Sequence, residues 1–266
     1  MDLGYKGKTV VVTGGGSNIG RAISLAFAGE GANVVIADID LAQAESVAEK
    51  ANSLNAGDKT IAVKCDVTNL DEVQAMFKQA STKFGQINVL VNSAGWDKLM
   101  LFTDTTPDFW NKVININYVG VLNCCKTALD YMIEQKSGAI LSISSDAGRQ
   151  GEFREAVYGG VKAAINSFMK SIARENGRYG IRANSVCPGI TVPLGEGEIG
   201  AQSMWKDTAS TFTPEQLQKV AKAVPLRKIG TPQDTANTVC FLASDAVAGH
   251  ITGQVLSVSG GYSMVG

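Results

Sequence analysis

The 266-residue sequence predicts an α/β fold with one doubly wound parallel sheet, and three observations carry that expectation. Short runs rich in Val and Ile alternate with amphipathic helical segments from end to end, the pattern of a parallel sheet with helices on both faces. The strand runs are continuously apolar rather than alternating, as burial on both faces requires. No Pro/Ser linker, charge block or internal repeat divides the chain, so a single domain spanning 1–266 is expected.

The elements follow in order. Thr9–Thr13 opens the sheet and runs into the glycine-rich turn Thr13–Gly20, after which an amphipathic helix begins. Asn33–Asp38 is the second strand and ends on a carboxylate, with helix Leu41–Leu54 behind it. Strand Thr60–Cys65, helix Leu70–Phe84, strand Ile87–Val91 and the long helix Phe109–Ile133 continue the alternation. Strand Ala139–Ser144, helix Tyr158–Arg174, strand Arg182–Val186 and strand Val255–Val258 complete it. The rhythm breaks after Cys187-Pro188-Gly189, where a glycine-rich stretch leads through Met204–Phe212 to a helix over Pro214–Ala223. Ligands of open α/β sheets bind at the carboxyl ends of the strands. A long segment leaving such an end is therefore expected to form a substrate lid, around residues 190–224.

Composition excludes several function classes. A net charge of −1, with 18% charged and 45% hydrophobic residues, argues against nucleic acid or an anionic membrane as partner. No apolar run approaches the ~20 residues of a membrane span, and no signal-peptide pattern precedes the first strand, so a cytoplasmic location is the default. Cys65, Cys124, Cys125, Cys187 and Cys240 lack C-x-x-C spacing and read as reduced, buried, small apolar residues. His250 is the one histidine and has neither zinc-ligand spacing nor a triad context, so no metal is expected.

Two constellations carry chemistry. In the first turn, Gly14, Gly16 and Gly20 let backbone amides approach a pyrophosphate at a helix N-terminus, although Gly20 comes one residue late for strict G-x-G-x-x-G. Asp38 ends the second strand, where a carboxylate accepts from a ribose hydroxyl and repels a 2′-phosphate. Ser17 and Ile39 offer no cation to rescue a phosphate there, so NAD is expected over NADP. The second constellation is Ser145 with Tyr158 and Lys162. A Tyr and a Lys four apart share one helix face. A phenol of pKa ~10 becomes a useful base at neutral pH only if a neighbouring ammonium lowers that pKa, and Lys162 is expected to do so. Ser145 would hold the substrate oxygen while Tyr158 moves the proton.

These segments, met in order along essentially the whole chain, resemble the short-chain dehydrogenase/reductase family, whose fold is a Rossmann-type sheet. The likeness rests on Thr13–Gly20, Cys65-Asp66-Val67, Asn92-Ser-Ala-Gly95, Asn117 with Gly120, Ser145, Tyr158 with Lys162, Pro188-Gly189, and Ile251–Val255 through Gly261. The resemblance implies a catalytic tetrad of Asn117, Ser145, Tyr158 and Lys162, with Asn117 holding the water that links Lys162 to a proton relay. It implies cofactor contacts from Gly14, Ser17, Asn18, Ile19, Gly20, Asp38, Asp66, Val67, Asn92, Ala94, Gly95, Tyr158, Lys162, Pro188 and Gly189. Three positions depart from the family's pattern: Asn18 replaces its middle glycine, Ser93 its second Asn, and Pro193 a Thr that meets the nicotinamide carboxamide. Thr191 is the nearby replacement for that Thr.

The local words Ala94-Gly-Trp-Asp97, Ser145-Asp-Ala-Gly-Arg149 and Glu155-Ala-Val-Tyr158 resemble dehydrogenases of alicyclic and aromatic hydroxyacyl-CoA intermediates. The 2-hydroxycyclohexanecarboxyl-CoA and (hydroxybenzyl)succinyl-CoA dehydrogenases are examples. That likeness implies NAD-dependent oxidation of a secondary alcohol to a ketone, on a small-molecule substrate carried as a CoA thioester. Trp96 is a candidate ring contact, and Lys98, Arg149 and Arg154 are candidate partners for CoA phosphates or a free carboxylate. Two alternatives stand beside it: another alcohol dehydrogenase or ketone reductase of the same fold, and a non-catalytic or weakly active subunit of a hetero-oligomer. The family likeness implies a homo- or hetero-tetramer.

Overall fold

Seven strands form one sheet: β1 (Thr9–Thr13), β2 (Asn33–Asp38), β3 (Thr60–Lys64), β4 (Val89–Asn92), β5 (Gly138–Ile143), β6 (Ile181–Pro188) and β7 (Val255–Val258). The structure is a computed structural model and describes residues 2–54, 59–193, 195, 197–203, 205–206 and 213–265. All neighbouring strands run parallel, in the order β3-β2-β1-β4-β5-β6-β7. The chain thus winds outward one way from β1 and the other way from β4, a Rossmann-type topology whose switch point lies between those two strands.

Period-two alternation divides the apolar strand residues between two cores. Val10 and Val12 of β1, with Val34 and Ile36 of β2, pack against α1 (Asn18–Gly29), α2 (Leu41–Leu54) and the later helix Pro232–Ala243. Val11, Val35, Leu90 and Ile140 face the other way. They meet α3 (Leu70–Phe84) through Phe77, and Gly120–Gln135 and Ala156–Asn176 through Cys125, Ile165 and Met169. Double-sided burial is why these strands read as unbroken Val/Ile runs. All five cysteines are buried and unpaired. Among the described residues no helix is long and apolar enough to cross a membrane, and no cluster of three His, Cys, Asp or Glu could hold a metal.

Where bounds shift, the shifts are small. β3 stops at Lys64, β4 is displaced to Val89–Asn92, β5 begins at Gly138, and β6 extends to Ile181–Pro188. The predicted helix Phe109–Ile133 is larger and interrupted: α4 (Pro107–Ile114) passes through a π-helical turn, Asn115–Val119, into α5 (Gly120–Gln135). Thr106 caps its start by accepting from the Phe109 N–H, with Pro107 in the first turn. Then come α6 (Ala147–Gln150), α7 (Ala156–Asn176), α8 (Pro214–Ala223), α9 (Pro232–Ala243) and α10 (Asp245–Ala248). Of the predicted stretch Met204–Phe212, all but Trp205 and Lys206 lies outside the described residues.

Candidate active site

The cofactor end is built at the β1/β4 switch point. Thr13 Oγ1 accepts from the Ser93 and Ala94 amides at 3.2 and 3.3 Å, tying the ends of the two strands together. Gly14 then turns with φ +62°, and a Cβ there would sit 2.7 Å from Ala94 Cα. A Cβ on Gly20 would lie 2.0 Å from the Gly14 carbonyl oxygen, so the first turn of α1 presses directly onto the loop. Both positions exclude any side chain. The Gly16 amide donates to Asp38 Oδ2 at 2.9 Å and the Asp40 amide to Oδ1 at 3.0 Å. Burial raises the Asp38 pKa, and these N–H donors hold it back.

Asn18 takes a left-handed φ of 43°, which Asn tolerates better than most residues. Its side chain is buried and Oδ1 has no hydrogen-bond partner. Residues 197–203 fold back over this turn. The Asn18 amide donates to the Glu198 carbonyl at 2.8 Å, Ser17 Oγ meets Ser203 Oγ at 3.1 Å, and the Ala201 amide donates to Asp40 Oδ2 at 3.0 Å. Arg21 pairs with Glu198 at 3.5 Å. Ile19 is half-buried beside them.

Asp66 and Val67 are pinned after β3. Asp66 Oδ1 accepts from the Thr68 amide and hydroxyl. Val67 is buried against Gly120, where a Cβ would meet Val67 Cγ2 at 2.6 Å. The Asn92 side chain turns into the core, donating to Ser142 Oγ at 3.1 Å and Cys125 Sγ at 3.3 Å. Any contact of Asn92 with a ligand would therefore be made by its backbone. At the far side the Gly189 amide donates to the Val258 carbonyl, the Pro188 carbonyl accepts from Asp146 N, and Thr191 Oγ1 donates to the Gly189 carbonyl at 3.2 Å.

This geometry fits a dinucleotide. Two cradle positions exclude a Cβ, an amide-rich helix start faces the turn, and a carboxylate stands at the end of β2. Gly14 to Gly20 would hold a pyrophosphate, Asp38 a ribose, and Asp66 with Val67 an adenine edge.

The reacting end gathers Asn117 from the π-helical turn, Ser145 from just after β5, and Tyr158 with Lys162 from α7. Asn117 lies in the π-helical turn, a local distortion often found at functional sites. It is fully buried: Nδ2 donates to the Trp96 and Val113 carbonyls, and Oδ1 accepts from the Trp96 amide. A Cβ on Gly95 would lie 2.9 Å from Asn117 Oδ1 and 3.6 Å from Lys162 Nζ, so the missing side chain at Gly95 leaves room for both groups to approach the backbone there. Ser145 follows β5, and its Oγ accepts from the Ala147 amide at 3.1 Å. Buried Lys162 donates from Nζ to the Ile143 carbonyl at 2.9 Å and stands 5.3 Å from the centre of the Tyr158 ring.

The expected depression of the Tyr158 pKa is corrected by the structure. Burial, then Glu155 and Asp97, push the phenol well above its usual value, and only the Ser145 hydrogen bond among the main influences opposes them. Lys162 is itself pulled down to about 8 by burial, against the pull of Cys187 and Asp97. Desolvation and the two nearby carboxyls thus favour the protonated phenol.

Beside Tyr158 a narrow cleft is lined by Asp97, Met100, Phe102, Thr105, Phe109 and Arg154 to Tyr158. Sequence reading gave Asp97 and Glu155 no role. Both are carboxyls whose charge acts on the Tyr158 phenol; Glu155 stands three residues before it in the chain, whereas the approach of Asp97 is visible only in the fold. Of the expected anion partners, Arg149 is committed to Asp146 at 3.0 Å and to the Val265 carbonyl. Arg154 donates to the Leu99 carbonyl at 2.8 Å, and Lys98 is exposed. Trp96 stands edge-on to Phe109 at 5.8 Å, with Lys112 Nζ 3.8 Å over its ring.

Residues 14–263 match the family model described as enoyl-(acyl carrier protein) reductase. The chain is 37% identical over 258 residues to a 3-oxoacyl-(acyl-carrier-protein) reductase of Staphylococcus aureus, covering 97% of this chain and 98% of that protein. It is 34% identical over 261 residues to the Synechocystis 3-oxoacyl-(acyl-carrier-protein) reductase, covering 97% of each chain. It is 33% identical over 264 residues to a Synechocystis acetoacetyl-CoA reductase, covering 98% of this chain and 99% of that one. The chain belongs to the short-chain dehydrogenase/reductase family and is a nicotinamide-dependent oxidoreductase acting on a CH–OH group.

Proposed function

We propose that this enzyme interconverts a 3-hydroxyacyl thioester and its 3-oxo form, with NAD as cofactor and an alicyclic or aromatic CoA thioester as substrate. The observation that carries the reading is the convergence of Asn117, Ser145, Tyr158 and Lys162 beside the glycine turn, next to a cleft with its own apolar wall. The relatives named for 3-oxoacyl and acetoacetyl substrates share the 3-oxo thioester. The alicyclic and aromatic substrates implied by the local words carry the same unit. Met100, Phe102 and Phe109 suit a ring better than a charged group. Asp38 supports NAD over NADP, because a half-buried carboxylate at the end of β2 would accept from a ribose hydroxyl and repel a 2′-phosphate.

A nicotinamide bound at the switch point supplies or takes the hydride. The chain's own work is positional and protonic. Ser145 and Tyr158 hydrogen-bond the substrate oxygen. In reduction the Tyr158 hydroxyl gives that oxygen its proton. In oxidation the phenolate takes it back. Lys162 and Asn117, joined to the Ile143 and Trp96 carbonyls, hold the polar floor beneath the phenol. With its pKa held high, Tyr158 is ready to donate at neutral pH, and its basic form grows about tenfold per pH unit. Oxidation should therefore quicken steadily from about pH 6 to 9, while reduction should not.

The test combines Trp-fluorescence titration with NADH and NADPH and a panel of 3-oxoacyl and 3-hydroxyacyl thioesters. Preferential NADH binding and turnover of cyclic acyl-CoA thioesters are expected. Turnover confined to straight-chain substrates would overturn the choice of acyl group, and tighter NADPH binding would overturn the Asp38 reading. A second reading, a weakly active subunit of a hetero-oligomer, draws on Asn18, whose amide is already taken by Glu198. Failure to bind either nucleotide would favour it.

A further inference from the structure

Asp97 and Glu155 stand apart from the residues that carry the reaction above. Asp97 is 7% exposed, lines the cleft beside Tyr158, and has an Oδ2 atom that is buried without a hydrogen-bond partner. Glu155 lines the same cleft from the start of α7. No salt bridge among the described residues includes either one. A carboxyl withdrawn from water with an empty acceptor position is costly unless something else offsets it. Such a cost is most often retained at functional sites.

We infer that Asp97 and Glu155 form an acceptor subsite that takes a hydrogen-bond donor of the substrate, a hydroxyl or an amide N–H, next to the reacting carbon. The surrounding charges agree. Lys162 lies on the Tyr158 side, near enough to steady Asp97 without bonding to it. Glu152 adds negative charge near Glu155, and its Oε2 is occupied by the Tyr262 hydroxyl. Arg154, the cation that shares the cleft, donates to the Leu99 carbonyl. Lys112 sits over Trp96, and Lys98 is exposed. The subsite should therefore accept donors and repel a free carboxylate. Burial pushes Asp97 up to about 6 and Glu155 up to about 7, so acceptor strength is full above about pH 8 and fades toward pH 5.5.

The acyl-thioester reading supplies two sources of such a donor: the amides of a pantetheine arm, or a second hydroxyl on the acyl group. NMR titration of the whole protein with pantetheine, with trans-1,2-cyclohexanediol and with donor-free S-ethyl thioacetate separates them. One of the first two should bind, shifting signals around Asp97 and Glu155, and the third should not. Binding should weaken about tenfold in Asp97→Asn, about the worth of one hydrogen bond to a charged group, and likewise on going from pH 8 to 5.5. NADH affinity, measured alongside, should not change and reports an intact fold. Binding of neither donor, or equal binding in wild type, Asp97→Asn and Glu155→Gln, would overturn the subsite. Absence of thioester turnover while donor binding persists would instead overturn the proposed substrate and leave the subsite standing.

Discussion

The two ends of the active site are built from different materials. At the glycine turn the backbone does the work: amides and glycines lie within bonding or contact distance of one another, and Asp38 accepts two N–H groups. At the Tyr158 end side chains do the work. Asn117 is buried and fully hydrogen-bonded, whereas the ionisation of Lys162 is shifted and Asp97 has a buried oxygen without a partner. A backbone cradle tolerates almost no added volume. The reacting end holds the shifted and unpartnered groups, and substitutions there should separate activity from stability.

The comparison breaks most visibly at Tyr158. Replacing it with Phe removes one hydroxyl from the reacting end, so turnover should fall by about 10³-fold, in the range for loss of a general acid. NADH affinity should stay within about twofold. Retention of a tenth of the wild-type rate would remove Tyr158 from the chemistry. Gly20→Ala asks the opposite question of the cradle. Its Cβ would sit 2.0 Å from the Gly14 carbonyl oxygen, so the turn must move. Thermal unfolding should show a loss of about 1–3 kcal/mol, the usual cost of overpacking, together with lost NADH binding. An unchanged Tm and affinity would mean that the turn is not the rigid cradle described.

The smallest effect sharpens the comparison through pH. Asp97 and Glu155 have folded pKa values raised above those of exposed carboxyls, so the folded state binds more protons than the unfolded one. Their contribution to stability therefore falls as pH rises from about 4 through 7. Asp97→Asn or Glu155→Gln should stabilise the protein by about 1–2 kcal/mol at pH 8, and the gain should vanish near pH 4. Chemical denaturation at the two pH values would measure it. A destabilised Asn or Gln variant at pH 8 would mean that these carboxylates are already satisfied.

Much of the fold was legible because local rules and tertiary need coincide. Leu41–Leu54, Leu70–Phe84 and Pro214–Ala223 form as helices over the expected bounds, since amphipathic spacing and caps act within a few residues. The strands were legible from continuous Val/Ile runs, and their bounds moved by a residue or two because pairing with neighbours decides where a ladder ends. The interruption at Asn115–Val119 was not legible. Nothing in Asn-Ile-Asn-Tyr-Val marks a π turn, which is imposed where Asn117 reaches the Trp96 and Val113 carbonyls.

By itself the sequence determined the doubly wound sheet, the glycine turn, the carboxylate at the end of β2 and the Ser–Tyr–Lys grouping. Each depends on residue type and short-range spacing. Tertiary structure alone decided the ionisation of that grouping. Whether Lys162 or the pair Asp97 and Glu155 governs Tyr158 depends on distances and burial, and on Asp97, which is remote from Tyr158 in the chain. Electrostatic energy in a protein interior is set by desolvation and by neighbours in space, and spacing along the sequence carries neither.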